Sequence, residues 1–299
     1  MHKVKPVKDL SSTAYSAIIW SIVSNLLLAL IKGISGVLGN SYALVADAIE
    51  STADVFSSIL VYAGLKISHK PADDNHPYGH GKIEPVVTFL VVAFLIFSAG
   101  IIAFKSIKNI NEPGEVPESW TLYILGAIII WKEVSFQYVL HKSKITNSSS
   151  LKADAWHHRS DAITSILAFI GITIALIFGE RYASADEWAA LLASGIILYN
   201  SYLIFKPALS EIMDEHLHHD LEEKIRKESL KVKGVVDTEK CYIRKSGMQY
   251  HVDLHAIVNG EISVRDGHNI SHDLKDHLQF VMPELTHILI HIEPDDQDD

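Results

Sequence analysis

The chain has 299 residues, of which 48% are hydrophobic and 21% charged, and its formal net charge is −10 at pH 7. A mean hydropathy of +0.18 is unusual for a soluble domain, and the apolar content excludes a wholly disordered chain. Residues 211–299 hold 20 acidic and 10 basic side chains, whereas residues 1–210 hold 16 of each, so the chain has two unlike parts. Neither part has the excess of basic residues that is typical of a nucleic-acid-binding protein.

Six long apolar runs occupy the first part of the chain. A helix needs about 20 mostly apolar residues to cross the hydrocarbon core of a bilayer. The third run, PVVTFLVVAFLIFSAGIIAF, is apolar on every side, which favours contact with lipid over burial in a soluble helical bundle. The predicted membrane spans are residues 15–37, 42–67, 83–107, 120–140, 151–178 and 188–209.

The short connections between these spans predict their orientation. Nine lysines lie on the side of the N-terminus, against three basic residues on the opposite side. Positive charge marks the cytoplasmic face, so both termini are expected in the cytoplasm. The first apolar run lacks a small-residue cleavage site, which indicates a membrane span rather than a signal peptide.

The acidic part of the chain has the pattern of a small folded domain. It predicts a helix over 217–232, strands over 235–244 and 249–258, a helix over 262–280 and a strand over 287–293. This αββαβ order suggests a ferredoxin-like or metallochaperone-like α+β domain with an antiparallel sheet. The expected fold is thus an α-helical membrane protein, with a six-helix transmembrane domain over 1–210 and a small cytoplasmic domain over 211–299, for which the family resemblance described below implies metal binding, regulation and dimerisation.

Two of the spans carry ionisable side chains where the bilayer makes them costly. Glu50 and Asp54 are four residues apart in the second span, and so are His157 and Asp161 in the fifth. Each pair therefore lies on one face of its helix. A charge at the centre of a membrane costs on the order of 3 kcal/mol. One divalent cation held between the two helices would compensate these groups.

Three carboxylates and one imidazole form a donor set that suits Zn²⁺, and also Fe²⁺, Mn²⁺, Co²⁺ or Cd²⁺. Cys241 is the only cysteine, which excludes a multi-cysteine metal site and an intramolecular disulfide. Metal release would leave groups that take up protons, which permits metal/proton exchange. In the alternative interpretation, the charged groups cap helix ends or pair with Arg159 and Lys132; Lys132 could also pair with Glu133.

At these residues the chain resembles the cation diffusion facilitator family, through the motifs Glu50-x-x-x-Asp54 and His157-x-x-x-Asp161. The segments PADDNHPYGHGKIE and VSFQYVL are similar to the bacterial zinc and ferrous-iron efflux branch. The resemblance implies a homodimer in the inner (plasma) membrane that exports a divalent metal in exchange for protons, and zinc is the metal expected first among the candidates. It implies no enzymatic activity and no organic cofactor. Glu50 stands where aspartate or histidine is more usual in the family.

The loop after the second span contains Asp73, His76 and His80. This spacing predicts a three-ligand metal site with water in the fourth position. Because the loop lies outside the membrane, a structural or regulatory role is expected rather than transport. The alternative is a polar loop with incidental histidines.

The cytoplasmic part offers a third candidate site. Alternation along a strand places His251, Asp253 and His255 on one face, and His291 and Glu293 likewise share a face of the last strand. The family resemblance implies the ligands Glu239, His255, His268, His291 and Glu293. It also implies an ion pair between Lys82 and Asp214 at a dimer interface. His216, His218 and His219 are interpreted as surface residues.

Two other functions remain as alternatives. A membrane metal sensor or scaffold would bind metal without transport, although it would not need ligands inside the membrane. A membrane metalloenzyme is disfavoured, because the sequence lacks HExxH, GxSxG and a phosphate-binding glycine loop.

Overall fold

The computed structural model describes residues 7–38, 42–110, 119–178 and 185–295. Its first six elements are the helices α1 Val7–Leu38, α2 Tyr42–Ser68, α3 Ile83–Asn109, α4 Thr121–Thr146, α5 Ser149–Phe178 and α6 Ala185–Ile212. The remaining elements are α7 His219–Ser229, β1 Asp237–Ser246, β2 Gln249–Val258, α8 Val264–Val281 and β3 Leu285–Pro294.

The chain forms two compact units. Residues 12–67 and 83–208 make up the helical unit, which contains nearly all of α1 to α6. The tail unit comprises the described residues of 1–11, 68–82 and 209–299. The loop between α2 and α3 therefore groups with the C-terminal domain, although the chain enters and leaves it through membrane helices.

Three described helices are both long and apolar enough to cross a bilayer. The qualifying segments are Ser11–Ile34 in α1, Ile83–Lys108 in α3 and Leu122–Thr146 in α4. The helices α2, α5 and α6 have 27, 30 and 28 residues, so their length also exceeds the roughly 20 residues that a span requires. Charged side chains in α2 and α5 lower their hydropathy.

The helical unit has polar groups inside and apolar side chains outside. Ser21, Lys132 and Asp154 are at most 1% exposed, whereas Phe97 and Phe104 are 67% and 72% exposed. Such a distribution would be unfavourable in water, because large exposed apolar patches associate. It suits lipid, since polar side chains in membrane proteins turn toward the interior of the helix bundle.

A buried carboxylate connects the start of α3 to the turn between α4 and α5. Glu84 is fully buried, and it accepts hydrogen bonds from the hydroxyls of Ser148 at 2.5 Å and Ser150 at 3.4 Å. The turn itself passes through Asn147, whose φ of 54° is left-handed, a conformation that asparagine tolerates well. This arrangement holds α5, which carries His157 and Asp161, in register with its neighbours.

The tail unit has the predicted αββαβ order, on a three-stranded sheet in the order β1-β2-β3. The expectation of an antiparallel sheet is wrong for one pair: β1 and β2 are antiparallel, but β2 and β3 are parallel. The helix α8 connects β2 to β3 and returns the chain to the end where β2 began, which requires parallel strands. Leu254 of β2 packs with Ile225, Leu274 and Leu278 from the two helices in one apolar core.

Candidate metal centre

Three of the four predicted intramembrane ligands lie together in the helical unit. The imidazole Nε2 of His157 is 2.7 Å from Oδ1 of Asp54 and 3.8 Å from Oδ2 of Asp161. One ligand atom from each residue lies within 4.8 Å of the others. Asp54 and His157 are buried, at 7% and 6% exposure. Glu50 lies in α2 one turn before Asp54, but its side chain is outside the described part of the structure.

A lysine from α4 completes this group, which we name the intramembrane cluster (Asp54, Lys132, His157 and Asp161). The ammonium Nζ of Lys132 donates to Oδ2 of Asp161 at 2.6 Å and to Oδ2 of Asp54 at 3.3 Å. It also donates to Oδ1 of Asn25 at 3.2 Å and is only 1% exposed. The alternative in which Lys132 pairs with the acidic residues is therefore the geometry that the structure shows. The sequence indicated this pairing through the lysine in the apolar run IIIWKEV, because a charged side chain inside a membrane helix needs an opposite charge beside it.

Lys132 and its neighbour Glu133 do not form the predicted pair, because each of them contacts other residues. Glu133 instead accepts hydrogen bonds from Nη1 of Arg159 at 2.5 Å and from the amide of Gln137 at 2.9 Å. Adjacent residues on a helix point about 100° apart and do not face each other. The two side chains therefore serve different environments, one inside the helical unit and one at its half-exposed surface.

A second buried polar chain runs beside the cluster and was not predicted. The carboxylate of Asp154 accepts hydrogen bonds from the hydroxyls of Ser21 and, at 3.0 Å, Ser58. The Nε2 atom of His158 lies 2.5 Å from the same Ser21 oxygen. Asn25 donates to Ser58 at 3.1 Å and accepts from the cluster's ammonium group, so it joins the two networks. The sequence feature that could have predicted this network is the presence of Ser21 and Asn25 within the apolar helix α1.

The loop ligands also come together, within the tail unit. Nδ1 of His76 is 2.9 Å from Oδ1 of Asp73, and Nε2 of His80 is 3.4 Å from Oδ2 of the same carboxylate. The backbone amides of Asn75 and His76 donate to Asp73 at 3.0 and 2.7 Å. These contacts, the His76 side chain first among them, hold the pKa of Asp73 below its usual value. The loop therefore presents an ionised carboxylate between two imidazoles.

The tail sheet groups three of its five predicted ligands. His255 of β2 is paired in register with His291 of β3, and their rings are 4.8 Å apart. Nδ1 of His255 lies 2.6 Å from Oε1 of Glu293, and Nε2 of His291 lies 3.7 Å from the same oxygen. Partial burial of Glu293 acts to raise its pKa, but the hydrogen bond with His255 outweighs it and the pKa is lowered.

The other two predicted tail ligands have different positions. The side chain of Glu239 pairs with Lys240 at 3.2 Å and lies next to Glu293, so it borders the group. His268 is not among the grouped ligands; its ring packs against His272 at 4.6 Å on α8. That helix covers the sheet face that carries Leu254, whereas His255 projects from the opposite face because side chains alternate along a strand.

The ion pair predicted between Lys82 and Asp214 is present in the tail unit, and the histidines that follow α6 form another group. Nζ of Lys82 is 2.5 Å from Oδ1 of Asp214 and donates to the backbone oxygen of Glu211 at 2.6 Å. His216 and His219, interpreted from the sequence as surface residues, are gathered with Glu222 into a further group of metal-ligand type.

Comparisons with known proteins agree with this architecture. Residues 18–213 match the model for a cation efflux transmembrane domain, and residues 217–295 match that for a cation efflux protein cytoplasmic domain. The manganese efflux system protein MneP of Bacillus subtilis is 29% identical over 281 residues, covering 92% of this chain and 94% of the relative. A protein described as an uncharacterized transporter of Methanocaldococcus jannaschii is 34% identical over 264 residues, covering 88% and 92%.

Among solved structures, a cadmium form of the C-terminal domain of MamM aligns with 25% of this chain and 95% of that domain, at 16% identity and a TM-score of 0.25. The family match covers well over half of the chain and confirms both the resemblance to the family and the expectation that the protein is not an enzyme. The chain therefore belongs to the cation diffusion facilitator family of divalent-cation efflux transporters, as a multi-pass membrane protein with a cytoplasmic C-terminal domain.

Proposed function

We propose that the protein exports a divalent transition metal from the cytoplasm in exchange for protons, by alternating access at a site formed by Glu50, Asp54, His157 and Asp161. The observation that carries the proposal is the convergence of Asp54, His157 and Asp161 inside the helical unit. A protein that only sensed or stored metal would have no need for such costly groups at this depth. The protein would act as a homodimer in the inner (plasma) membrane, with both termini in the cytoplasm.

Lys132 has a defined part in this mechanism. Its ammonium group lies against Asp54 and Asp161 and compensates their charge. An entering divalent cation competes with that tethered charge, and Lys132 moves away from the carboxylates as the metal binds. After release, Lys132 and incoming protons together restore compensation, so the empty site can reorient without leaving uncompensated carboxylates in a medium of low dielectric constant.

The metal itself is a separate part of the proposal. The sequence favours zinc, and the similarity of the segment 71–84 to the zinc and ferrous-iron branch supports that preference. A relative of similar length is named for manganese efflux, and a site with several carboxylates and one imidazole also suits Mn²⁺. We infer that both ions are carried, and we place Mn²⁺ beside Zn²⁺ as the first pair to compare.

The loop site and the tail site would serve regulation rather than transport. Metal binding to His255, His291 and Glu293 would stabilise one arrangement of the dimer, provided that this arrangement binds metal better than the alternatives. The loop group of Asp73 and its two histidines would have a structural or regulatory role, and the Lys82–Asp214 pair would lie at the interface between protomers.

Metal flux into proteoliposomes loaded with a fluorescent chelator tests the transport proposal. Mn²⁺, Zn²⁺, Fe²⁺ and Co²⁺ are compared with and without a pH gradient. We expect proton-driven flux in the native protein, loss of flux in Asp161→Ala, and native flux in the control Asp273→Ala, which removes an exposed carboxylate of α8. Normal flux in Asp161→Ala would overturn the site, and metal binding without flux of any ion would favour the sensor.

A further inference from the structure

The chain between α6 and α7 follows a defined path. After α6 ends at Ile212, Asp214 adopts a left-handed φ of 53°, and the backbone amide of Glu215 donates to the carbonyl of Ser210 at 3.0 Å. The Ser210 hydroxyl also hydrogen-bonds to the carboxylate of Glu215. These contacts form a turn at the end of α6, directly before His216.

His216 meets two side chains of α7 there. Its Nε2 atom lies 2.8 Å from Oε2 of Glu222, and Nδ1 of His219 lies 3.9 Å from the same oxygen. His219 and Glu222 are three residues apart on the helix and so share one face. The two imidazole rings are 5.0 Å apart in an edge-on arrangement. Two imidazoles, one from the segment before α7 and one from its first turn, therefore converge on one carboxylate oxygen.

The carboxylate of Glu222 is oriented by an arginine on its other side. Nε and Nη2 of Arg226 donate to Oε1 of Glu222 at 3.0 and 2.8 Å. Arg226 is held in turn by the backbone oxygens of Thr238 at 2.7 Å and Glu239 at 3.0 Å. The hydrogen bonds from Arg226 are the main cause of the lowered pKa of Glu222, so the group is ionised near neutral pH. One carboxylate oxygen faces the arginine and the other is directed at the imidazoles.

These distances suit a small cation between the three side chains. With bonds of about 2.0–2.1 Å to nitrogen and oxygen, neighbouring ligands of a tetrahedral zinc ion are separated by roughly 3.3 Å. The observed separations of 2.8 and 3.9 Å lie on either side of that value. A cation would need only small side-chain rotations, with water as its fourth ligand.

We propose that His216, His219 and Glu222 form a metal site distinct from the intramembrane, loop and sheet groups, which takes a borderline divalent cation of the Zn²⁺ or Co²⁺ class. Two imidazoles and one carboxylate favour such ions over Mn²⁺ and Mg²⁺. When occupied, the site links the non-helical segment that follows α6 to the first turns of α7. This inference concerns metal binding alone and does not depend on transport.

Equilibrium dialysis of the full-length protein in detergent micelles, over a series of free Zn²⁺ concentrations, tests the proposal. The double variant His216→Ala with His219→Ala is expected to bind about one equivalent of zinc fewer per chain than the native protein. The matched control is His218→Ala, which removes a histidine of the same segment whose ring packs on Tyr250 at 4.9 Å. The control should keep the native stoichiometry.

A second variant and a second measurement guard against unfolding. Glu222→Gln retains a hydrogen-bond acceptor for Arg226 but loses the anionic ligand, so it should lose the same equivalent. Zinc should slow hydrogen exchange over residues 213–222 in the native protein and the control, and not in the other two variants. Native stoichiometry in the double variant, or equal loss in His218→Ala, would overturn the proposal.

Discussion

The Lys132 ammonium lies 2.6 Å from a carboxylate oxygen of Asp161, and the two residues belong to different helices, α4 and α5. The lysine side chain is 1% exposed, so solvent screens this ion pair very little. The protein's own ammonium group therefore occupies a position beside the carboxylates that an incoming metal ion would need to approach. At the proposed transport site, Lys132 would therefore compete with the metal for the carboxylates of Asp54 and Asp161.

Replacement of Lys132 by methionine should tighten metal binding and slow transport. Methionine keeps most of the side-chain length but removes the competing charge, so the apparent affinity for Mn²⁺ or Zn²⁺ should rise about tenfold, equivalent to about 1.4 kcal/mol. Release should become slower, because only protons remain to replace the metal charge on the carboxylates. Calorimetric titration and proteoliposome flux measure the two effects.

The control for this change is Lys144→Met, which removes an exposed lysine near the end of α4. It should leave both affinity and flux at native levels. Weaker metal binding in Lys132→Met than in the native protein would show that the lysine supports metal binding instead of competing with it.

Asp154 should be important for stability of the helical unit. It is fully buried and accepts hydrogen bonds from Ser21 and Ser58. In Asp154→Asn, the amide directs a donor group at hydroxyls that already donate, which leaves buried polar atoms without suitable partners. We expect a loss of about 1–3 kcal/mol, measured as a lower thermal midpoint in detergent. Asp273→Asn on exposed α8 should change the midpoint little, and an equal drop in both variants would contradict the assignment.

The tail unit should lose stability in mild acid through His251. Burial, followed by the nearby charges of His287 and Arg244, lowers the pKa of His251 from 6.5 to about 4. The unfolded chain takes up a proton near pH 6.5, whereas the folded chain does so only near pH 4. Stability contributed by neutral His251 is therefore complete above pH 6.5 and declines as the pH falls toward 4.

Cys241 provides the measurement for that prediction. It is the only cysteine, it is 3% exposed, and burial raises its pKa to about 12, so a thiol reagent should react only after the tail unit opens. Because such reagents need thiolate, labelling is done in pulses at pH 8 after incubation with denaturant at pH 7 or pH 5. His251→Leu should show a smaller difference between the two incubations, and an unchanged difference would assign the acid effect to other groups.

Gly81 should be required for packing of the loop within the tail unit. A Cβ atom at this position would collide with the hydroxyl and backbone carbonyl of Ser246, and the backbone cannot yield as a flexible side chain can. Gly81→Ala should therefore expose residues 68–82 to limited proteolysis. It should also weaken zinc binding by the Asp73 group. Gly100→Ala is the matched control, because among the described residues no atom beyond the adjacent residues and nearby backbone of α3 lies within 4 Å of its added Cβ. Native protease resistance in Gly81→Ala would show that the loop accommodates the methyl group.

Local patterns accounted for most elements of secondary structure. The six apolar runs became α1 to α6, and β2 was predicted with its observed bounds, because length, hydropathy and alternation are properties of consecutive residues. The parallel pairing of β3 was missed, since strand direction depends on where α8 returns the chain. The four-residue spacing of His157 and Asp161 placed both on one face of α5, but it could not reveal which basic group lies opposite them.

The sequence by itself determined that the chain enters a membrane, that its C-terminal part folds as a separate α+β unit, and that carboxylates and imidazoles recur at spacings suited to divalent metals. Those properties depend on composition and on residues within a few turns of one another. Only the tertiary structure decided that Lys132 lies between Asp54 and Asp161, that His268 stays apart from His255, and that His216 meets Glu222. Each of these depends on distances between separate elements, which are set by helix packing, sheet register and the turn after α6, and not by any spacing along the chain.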